Sequence, residues 1–160
     1  MADDMASDRT RQLRVYLDVC CLQRPFDDQR QARIHLEAEA VKLILARIEH
    51  GEFFWISSEV VDDEISQNID ADRALKAQML ARHATFRINL TGTEIARGTE
   101  LEKLGFAAFD ALHLACAESG GTDVFLTTDD KLLKRTIRFA EQLHVRVENP
   151  LKWLQNLEDK

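Results

Sequence analysis

Hydrophobic and polar positions along this chain alternate between two periods. Short apolar runs with β-branched and aromatic content recur at Leu13–Asp18 (LRVYLD), Glu52–Ile56 (EFFWI), Thr85–Leu90 (TFRINL), Asp123–Thr127 (DVFLT) and Val145–Val147, and each reads as a strand. Between them the apolar residues follow a helical spacing. From about Gln29 to His50, Ile34, Val41, Leu45 and Ile48 form a stripe that Leu36, Leu43 and Ile44 widen. Asp27 or Asp28 is a candidate cap for this helix, and Gly51 closes it. Ser57 or Ser58 can cap a helix carrying Val60, Val61, Glu64, Ile65 and Ile69, and Ala71–His83 follows with Leu75, Met79 and Leu80. Thr93–Leu104 is helical up to Gly105, and Phe109–Glu118 is helical again, ending at Gly120 and Gly121. Asp129 and Asp130 open a helix with Leu132, Leu133 and Ile137, and Pro150 starts a last one containing Trp153 and Leu154. The segment CCLQRPFDD, broken by Pro25, reads as a loop.

Short apolar strands separated by longer helices predict an α/β fold, with a mostly parallel sheet covered by helices on both faces. No internal repeat and no Pro/Gly-rich linker is visible, so residues 13–155 are expected to form one domain behind a flexible N-terminal segment, 1–12. The 160 residues suffice for one full core. Residues 1–12 are polar and lack the apolar run of a signal peptide, and no stretch reaches the length of a membrane span. A cytoplasmic protein is expected. Cys20, Cys21 and Cys116 are odd in number, two of them adjacent, which fits neither a disulfide framework nor a zinc-ligand spacing. They read as small side chains in a reducing compartment, and nothing nearby marks Cys21 as an activated nucleophile.

The net charge of −7 argues against a large, general nucleic-acid-binding surface. It does not exclude an enzyme whose acids gather around divalent ions, because the metal reverses the local sign. Ligands of open parallel sheets bind outside the carboxyl ends of the strands. Asp18 stands at the end of the first strand, and Asp129 and Asp130 directly follow DVFLT. Glu64 lies on the helix after the second strand, and Asp110 begins the DALHLA helix, where free backbone N–H groups favour negative charge. Two bare carboxylates about 4 Å apart repel by roughly 4 kcal/mol at an effective dielectric of about 20. A hard cation such as Mg²⁺ removes that repulsion, and there is no His-rich or Cys-rich alternative set. Taken singly, Asp18, Asp110 and Asp130 are at home as strand-end or helix-start residues, and Glu64, with Asp62 and Asp63 beside it, as part of a simply acidic segment.

The ordered segments YLDVCCLQRPFDD, ISSEVVDDEI, FDALHLACAE, VFLTTDDKLL and VENPLKWL resemble the PIN-domain family, most nearly its bacterial VapC-like toxins, over about Leu13–Leu154. DALHLACA followed by FLTTDDKLL, with an Asp-terminated strand upstream, is the most specific combination. The resemblance implies a three-layer α/β/α sandwich, a homodimer, and an acidic site that binds one or two Mg²⁺ or Mn²⁺ ions and cuts RNA. Carried over residue by residue, it implies metal-binding and catalytic roles for Asp18, Glu64, Asp110 and Asp130. Glu59 is a poorer match than Glu64 because it falls at the helix start. Asp129, just before the matching aspartate, either assists or competes, and Thr128 is a candidate hydrogen-bond partner of Asp18 or of a metal-bound water. Arg24, Lys131 and Lys134 are candidate phosphate contacts, set against ordinary surface charge. His113 reads as a packing or hydrogen-bonding residue, and Trp55 and Trp153 as core or interface residues.

The function so implied is metal-assisted hydrolysis of RNA phosphodiesters by the toxin of a type II toxin–antitoxin pair, blocked by an antitoxin with a basic docking segment. A housekeeping PIN nuclease is the nearest variant, and a catalytically silent PIN-like interaction module the alternative of a different class. A phosphorylatable receiver domain is disfavoured. Its third strand would end in Asp, where this one ends in Asn89 and Leu90, and no Lys falls at a late strand end.

Overall fold

The computed structural model describes residues 12–159, so the N-terminal segment lies outside the described residues apart from Gln12. Strand β1 (Leu13–Leu17) is the middle of a five-stranded sheet ordered β3-β2-β1-β4-β5, with β2 Phe53–Ser58, β3 Phe86–Ile88, β4 Val124–Leu126 and β5 Arg146–Glu148. All four pairings are parallel. Val15 lies between Trp55 and Val124, and Tyr16 between Ile56 and Phe125. With neighbours on both sides and helices above and below, Val15, Tyr16 and Leu17 are buried, which is why this strand reads as an uninterrupted apolar run.

The helices are α1 (Val19–Gln23), α2 (Ala32–Glu49), α3 (Glu59–Ser66), α4 (Ala71–Ala81), α5 (Gly92–Lys103), α6 (Ala108–Ser119), α7 (Asp130–Arg138) and α8 (Pro150–Glu158). They complete an α/β/α sandwich. The first was expected as loop. Asp18 accepts the Val19 N–H and caps it, and five residues are too few to show a period. A 3₁₀ turn, Arg24–Phe26, follows it with Pro25 in its first turn. Neither Asp27 nor Asp28 caps α2, whose N-cap is Gln31. Both are engaged elsewhere, Asp27 by Arg24 and Arg73 and Asp28 by Arg30. Gly51 ends α2 at φ 79°, a left-handed conformation that suits glycine.

The helix faces differ in detail from the periodic expectation. On α2, Leu36 and Leu43 are half-exposed, and the buried side is Glu37, Ala38, Ala40, Val41 and Ile44. On α4, Ala74 and Ala77 face inward while Leu75 and Met79 face outward. Trp55 and Trp153 are buried, as expected for packing residues. No described helix is long and apolar enough to cross a membrane.

Two features set up the site. The chain builds β1, β2 and β3 to one side and then crosses back to place β4 on the other flank of β1. The carboxyl ends of β1 and β4 therefore open side by side at a topological switch point. Helix α6 is drawn close to α5 because Gly98 has no side chain: a Cβ there would meet Leu112 Cδ2 at 2.9 Å. That close packing seats the first turns of α6 over the same strand ends.

Candidate active site

Asp18 leaves β1 and turns straight into α1, and its carboxylate is held on both oxygens. Oδ1 accepts the Val19 N–H at 2.8 Å, and Oδ2 accepts the Thr127 hydroxyl at 2.8 Å. The side chain is almost fully buried. Burial raises its pKa above the ordinary carboxylate value, Glu64 adds to the rise, and His113 opposes it.

Glu64 comes from α3, whose N-cap Ser58 accepts the Val61 N–H. Its side chain keeps 33% of its surface open, and Oε1 sits 2.7 Å from His113 Nε2. The same nitrogen is 4.0 Å from Asp18 Oδ1. His113 is wholly buried, one helical turn beyond Asp110 on α6, and its Nδ1 is 2.7 Å from the Tyr16 hydroxyl. Ligand atoms of Asp18, Glu64 and His113 all fall within 4.8 Å of one another.

Asp110 stands in the first turn of α6. Its pKa is pushed up to about 6, first by burial and then by the charges of Asp18, Asp129 and Glu64, with His113 opposing. No hydrogen bond to its carboxylate is found among the described residues. Asp129 caps α7, accepting the Lys131 and Leu132 N–H groups on Oδ1, while its own N–H donates to Thr127 Oγ1 at 3.1 Å. Four acids from four different elements thus converge on the carboxyl ends of β1 and β4.

A family model described as the PIN domain matches residues 15–137 of this chain. The chain belongs to the PIN-domain family. Its fold is similar to a chain of the VapBC2 structure from Rickettsia felis bound to a DNA fragment from its promoter, at TM-score 0.53 and 14% identity over 86% of this chain and 98% of that one. It is likewise similar to a chain of VapBC-1 from nontypeable Haemophilus influenzae, at TM-score 0.53 and 13% identity over 86% and 98%. At such identities the likeness is one of fold. No curated protein sequence matches the chain.

In this PIN domain the two adjacent aspartates after β4 part company. Asp130, the better fit to the sequence pattern, does not join the other acids. Arg33 of α2 grips it through Nη1 and Nη2 at 2.7 and 2.8 Å, and its side chain is 58% exposed. The cause is the helix start. Asp129 is the extended N-cap and Asp130 the first helical residue, so their side chains diverge. Thr128 is likewise not the donor to Asp18. Its N–H lies 3.3 Å from Cys20 Sγ and its carbonyl accepts from Arg33 Nη2, whereas the hydroxyl that reaches Asp18 belongs to Thr127. Arg24 is held by Glu37 and Asp27 rather than left for a phosphate. Lys131 and Lys134 are exposed on α7, with no ion pair among the described residues. All three cysteines are free thiols, and burial pushes Cys21 well above its ordinary value, which removes it as a nucleophile.

Sequence reasoning left Thr127, His113 and Tyr16 out of the site. A signal for His113 was present: Asp110 and His113 are spaced i, i+3 and so share a helix face. The donor set suits a hard divalent cation. Asp110 is an unbonded, half-buried carboxylate whose pKa is raised first by burial and then by the like charges of Asp18, Asp129 and Glu64, and a cation would neutralise those charges.

Proposed function

We propose that this PIN domain is a divalent-metal-dependent endoribonuclease, acting in the cytoplasm as the toxin of a toxin–antitoxin pair. The observation that carries the reading is the gathering of Asp18, Glu64, Asp110 and Asp129 from four elements at the ends of β1 and β4, with the Asp110 carboxylate given no protein donor among the described residues.

Asp18, Asp110 and Glu64 would hold Mg²⁺ or Mn²⁺, with Asp129 rather than Asp130 as the fourth acid. A bound ion supplies charge neutralisation of the scissile phosphate and a lower pKa for attacking water. The rest is the work of the chain. Val19 N–H and the Thr127 hydroxyl fix Asp18, so its charge needs no reorganisation during the reaction. Glu64, the most open of the ligand atoms grouped with Asp18 and His113, orients the attacking water at the solvent side of the pocket. Helix α6 has no side-chain cap at its N-terminus, so its first N–H groups are available to a phosphate oxygen next to Asp110.

The net charge of −7 and the acidic pocket favour a partner whose docking segment is basic, such as an arginine side chain that would neutralise the same carboxylates and block the site. The fold shared with chains of VapBC structures supports an antitoxin as that partner. A homodimer is part of the same proposal.

The test is cleavage of a diverse pool of single-stranded and structured RNA by purified protein with Mn²⁺ or Mg²⁺. Cuts that disappear with EDTA and in Asp18→Asn are expected. Folded protein that binds Mn²⁺ but leaves every RNA intact would contradict the nuclease and point to a silent interaction module.

A further inference from the structure

We propose that His113 is the positioning residue of Glu64. It aims the Glu64 carboxylate into the acidic pocket through its Nε2–H and is not itself a ligand of the ion. The inference rests on the nuclease reading only for what Glu64 is aimed at; the contact itself stands on geometry.

Nε2 of His113 and Oε1 of Glu64 are 2.7 Å apart, the length of a charge-assisted hydrogen bond. Two bare acceptors do not approach so closely, so a proton lies between them. On its other side the ring meets a closed polar chain: Nδ1 is 2.7 Å from the Tyr16 hydroxyl, which is 2.7 Å from Ser58 Oγ. Tyr16, Ser58 and His113 are each fully buried, so they satisfy one another without solvent.

The two hydroxyls serve either charge state of the ring. With a neutral imidazole, Ser58 donates to Tyr16, Tyr16 donates to Nδ1, and Nε2–H donates to Glu64. With an imidazolium, Nδ1–H donates to Tyr16 and Tyr16 donates to Ser58, and the proton facing Glu64 stays in place. A ligating imidazole must offer the lone pair of Nε2, and in both arrangements that position carries a proton. Nor is the ring free to turn. Tyr16 packs edge-on at 5.8 Å between centroids and Phe109 lies tilted at 6.4 Å.

The consequence is a division of labour. Glu64 sits on a short surface helix and has three rotatable bonds, so without a partner its carboxylate would sample several positions. One bond from the rigid α6 selects a single position, and the ligand set remains all oxygen, which suits Mg²⁺ or Mn²⁺.

The experiment compares wild type, His113→Leu, His113→Gln and Tyr16→Phe by Mn²⁺ titration calorimetry, together with ¹⁵N NMR of the histidine rings in ion-free protein. The glutamine side chain can bring its amide N–H near the position of the imidazole Nε2 and so restore the donor; its nitrogen offers no lone pair to an ion, and the ring ¹⁵N spectra of wild type separate a donor from a ligand independently of its carbonyl oxygen. A protonated Nε2 is expected for His113. Mn²⁺ affinity is expected to fall about 10- to 100-fold in His113→Leu, as for lost partners of metal ligands, and to recover within about threefold in His113→Gln. Tyr16→Phe, which keeps every carboxylate and the Nε2–H, is expected to lose less than His113→Leu and covers the case in which the leucine variant fails to fold. An Nε2 without a proton, or a glutamine variant as poor as a folded leucine one, overturns the proposal in favour of a ligating histidine. Wild-type affinity in His113→Leu overturns it in favour of packing alone. A wild-type protein that binds no Mn²⁺ overturns the nuclease reading, and this inference with it.

Discussion

The Thr127 hydroxyl donates to Asp18 Oδ2 across 2.8 Å, and Thr127 Oγ1 itself accepts the Asp129 N–H at 3.1 Å and lies 3.3 Å from Cys20 Sγ. One hydroxyl therefore locks the exits of β1 and β4 together. Thr127→Val keeps the shape and removes this link, leaving Asp18 Oδ2 with only the weak Cys20 thiol at 3.5 Å and the Asp129 N–H unpaired. The expected cost is about 1–3 kcal/mol of stability, read from urea denaturation, with weaker Mn²⁺ binding. Thr128→Val, whose hydroxyl makes none of these bonds, is expected to cost less on both measures.

The adjacent aspartates after β4 differ in what they face. Asp129 contributes to the electrostatic load on Asp110, whereas Asp130 is spoken for by Arg33 at the surface. Asp129→Asn is therefore expected to reduce Mn²⁺-dependent cleavage far more than Asp130→Asn, while keeping a side-chain oxygen to cap α7. Loss of the Arg33 pair in Asp130→Asn is expected to change stability little, because exposed ion pairs are screened by solvent. Cleavage rates and melting curves of the two variants, side by side, decide this.

Acidity supplies a third prediction. In the ion-free folded protein Asp110 keeps its proton up to about 6, against about 3.9 for an ordinary aspartate. The stability this lends is full below the unfolded value and is lost as pH rises through the folded one. Binding of a cation runs the other way, since it needs the carboxylate. Mn²⁺ is expected to raise the melting temperature clearly at about pH 7.5 and much less at about pH 5, and EDTA is expected to abolish the rise. An equal rise at both values would contradict the role given to Asp110.

Glu37 tests the frame behind the site. It is 1% exposed and accepts from Arg24 Nε at 2.9 Å, Arg33 Nε at 3.2 Å and Asn149 Nδ2 at 2.6 Å, tying α2 to the 3₁₀ turn and to the cap of α8. Glu37→Ala leaves part-buried Arg24 with Asp27 as its remaining acidic partner and removes the acceptor of Arg33 Nε and Asn149 Nδ2. A loss of about 3–5 kcal/mol in chemical denaturation is expected, as for a broken buried ion pair.

Much of this was legible from residue types alone. Fully buried parallel strands must be apolar throughout, so LRVYL, EFFWI and DVFLT announced the sheet, and the acids after the first and last of them marked the edge where the candidate site lies. Asp18, Glu64 and Asp110, picked out by the family resemblance, are brought to one place by that topology. The choice between Asp129 and Asp130 could not be made that way, since two neighbouring carboxylates are chemically alike and what separates them is Arg33, 97 positions away in the chain. Thr127 was passed over for Thr128 for the same reason: which of two adjacent hydroxyls turns toward β1 depends on the register of β4. His113 read as a packing or hydrogen-bonding residue, and it is both, packed on its ring faces and bonded at its nitrogens. Its two nitrogens gain meaning only when β1 places Tyr16 beneath it and α3 places Glu64 beside it. Leu36 and Leu43 misled in the opposite sense, because Glu37 takes a buried place on α2 that periodicity would assign to an apolar residue.

The most direct test of the metal-dependent site is anomalous diffraction from crystals soaked in Mn²⁺. The account predicts a peak between Asp18 and Asp110, about 2.0–2.2 Å from carboxylate oxygens of both, within reach of Glu64 and absent in Asp18→Asn. No peak among these acids in well-ordered, soaked crystals, or a peak only at Asp130 or another surface carboxylate, would contradict it.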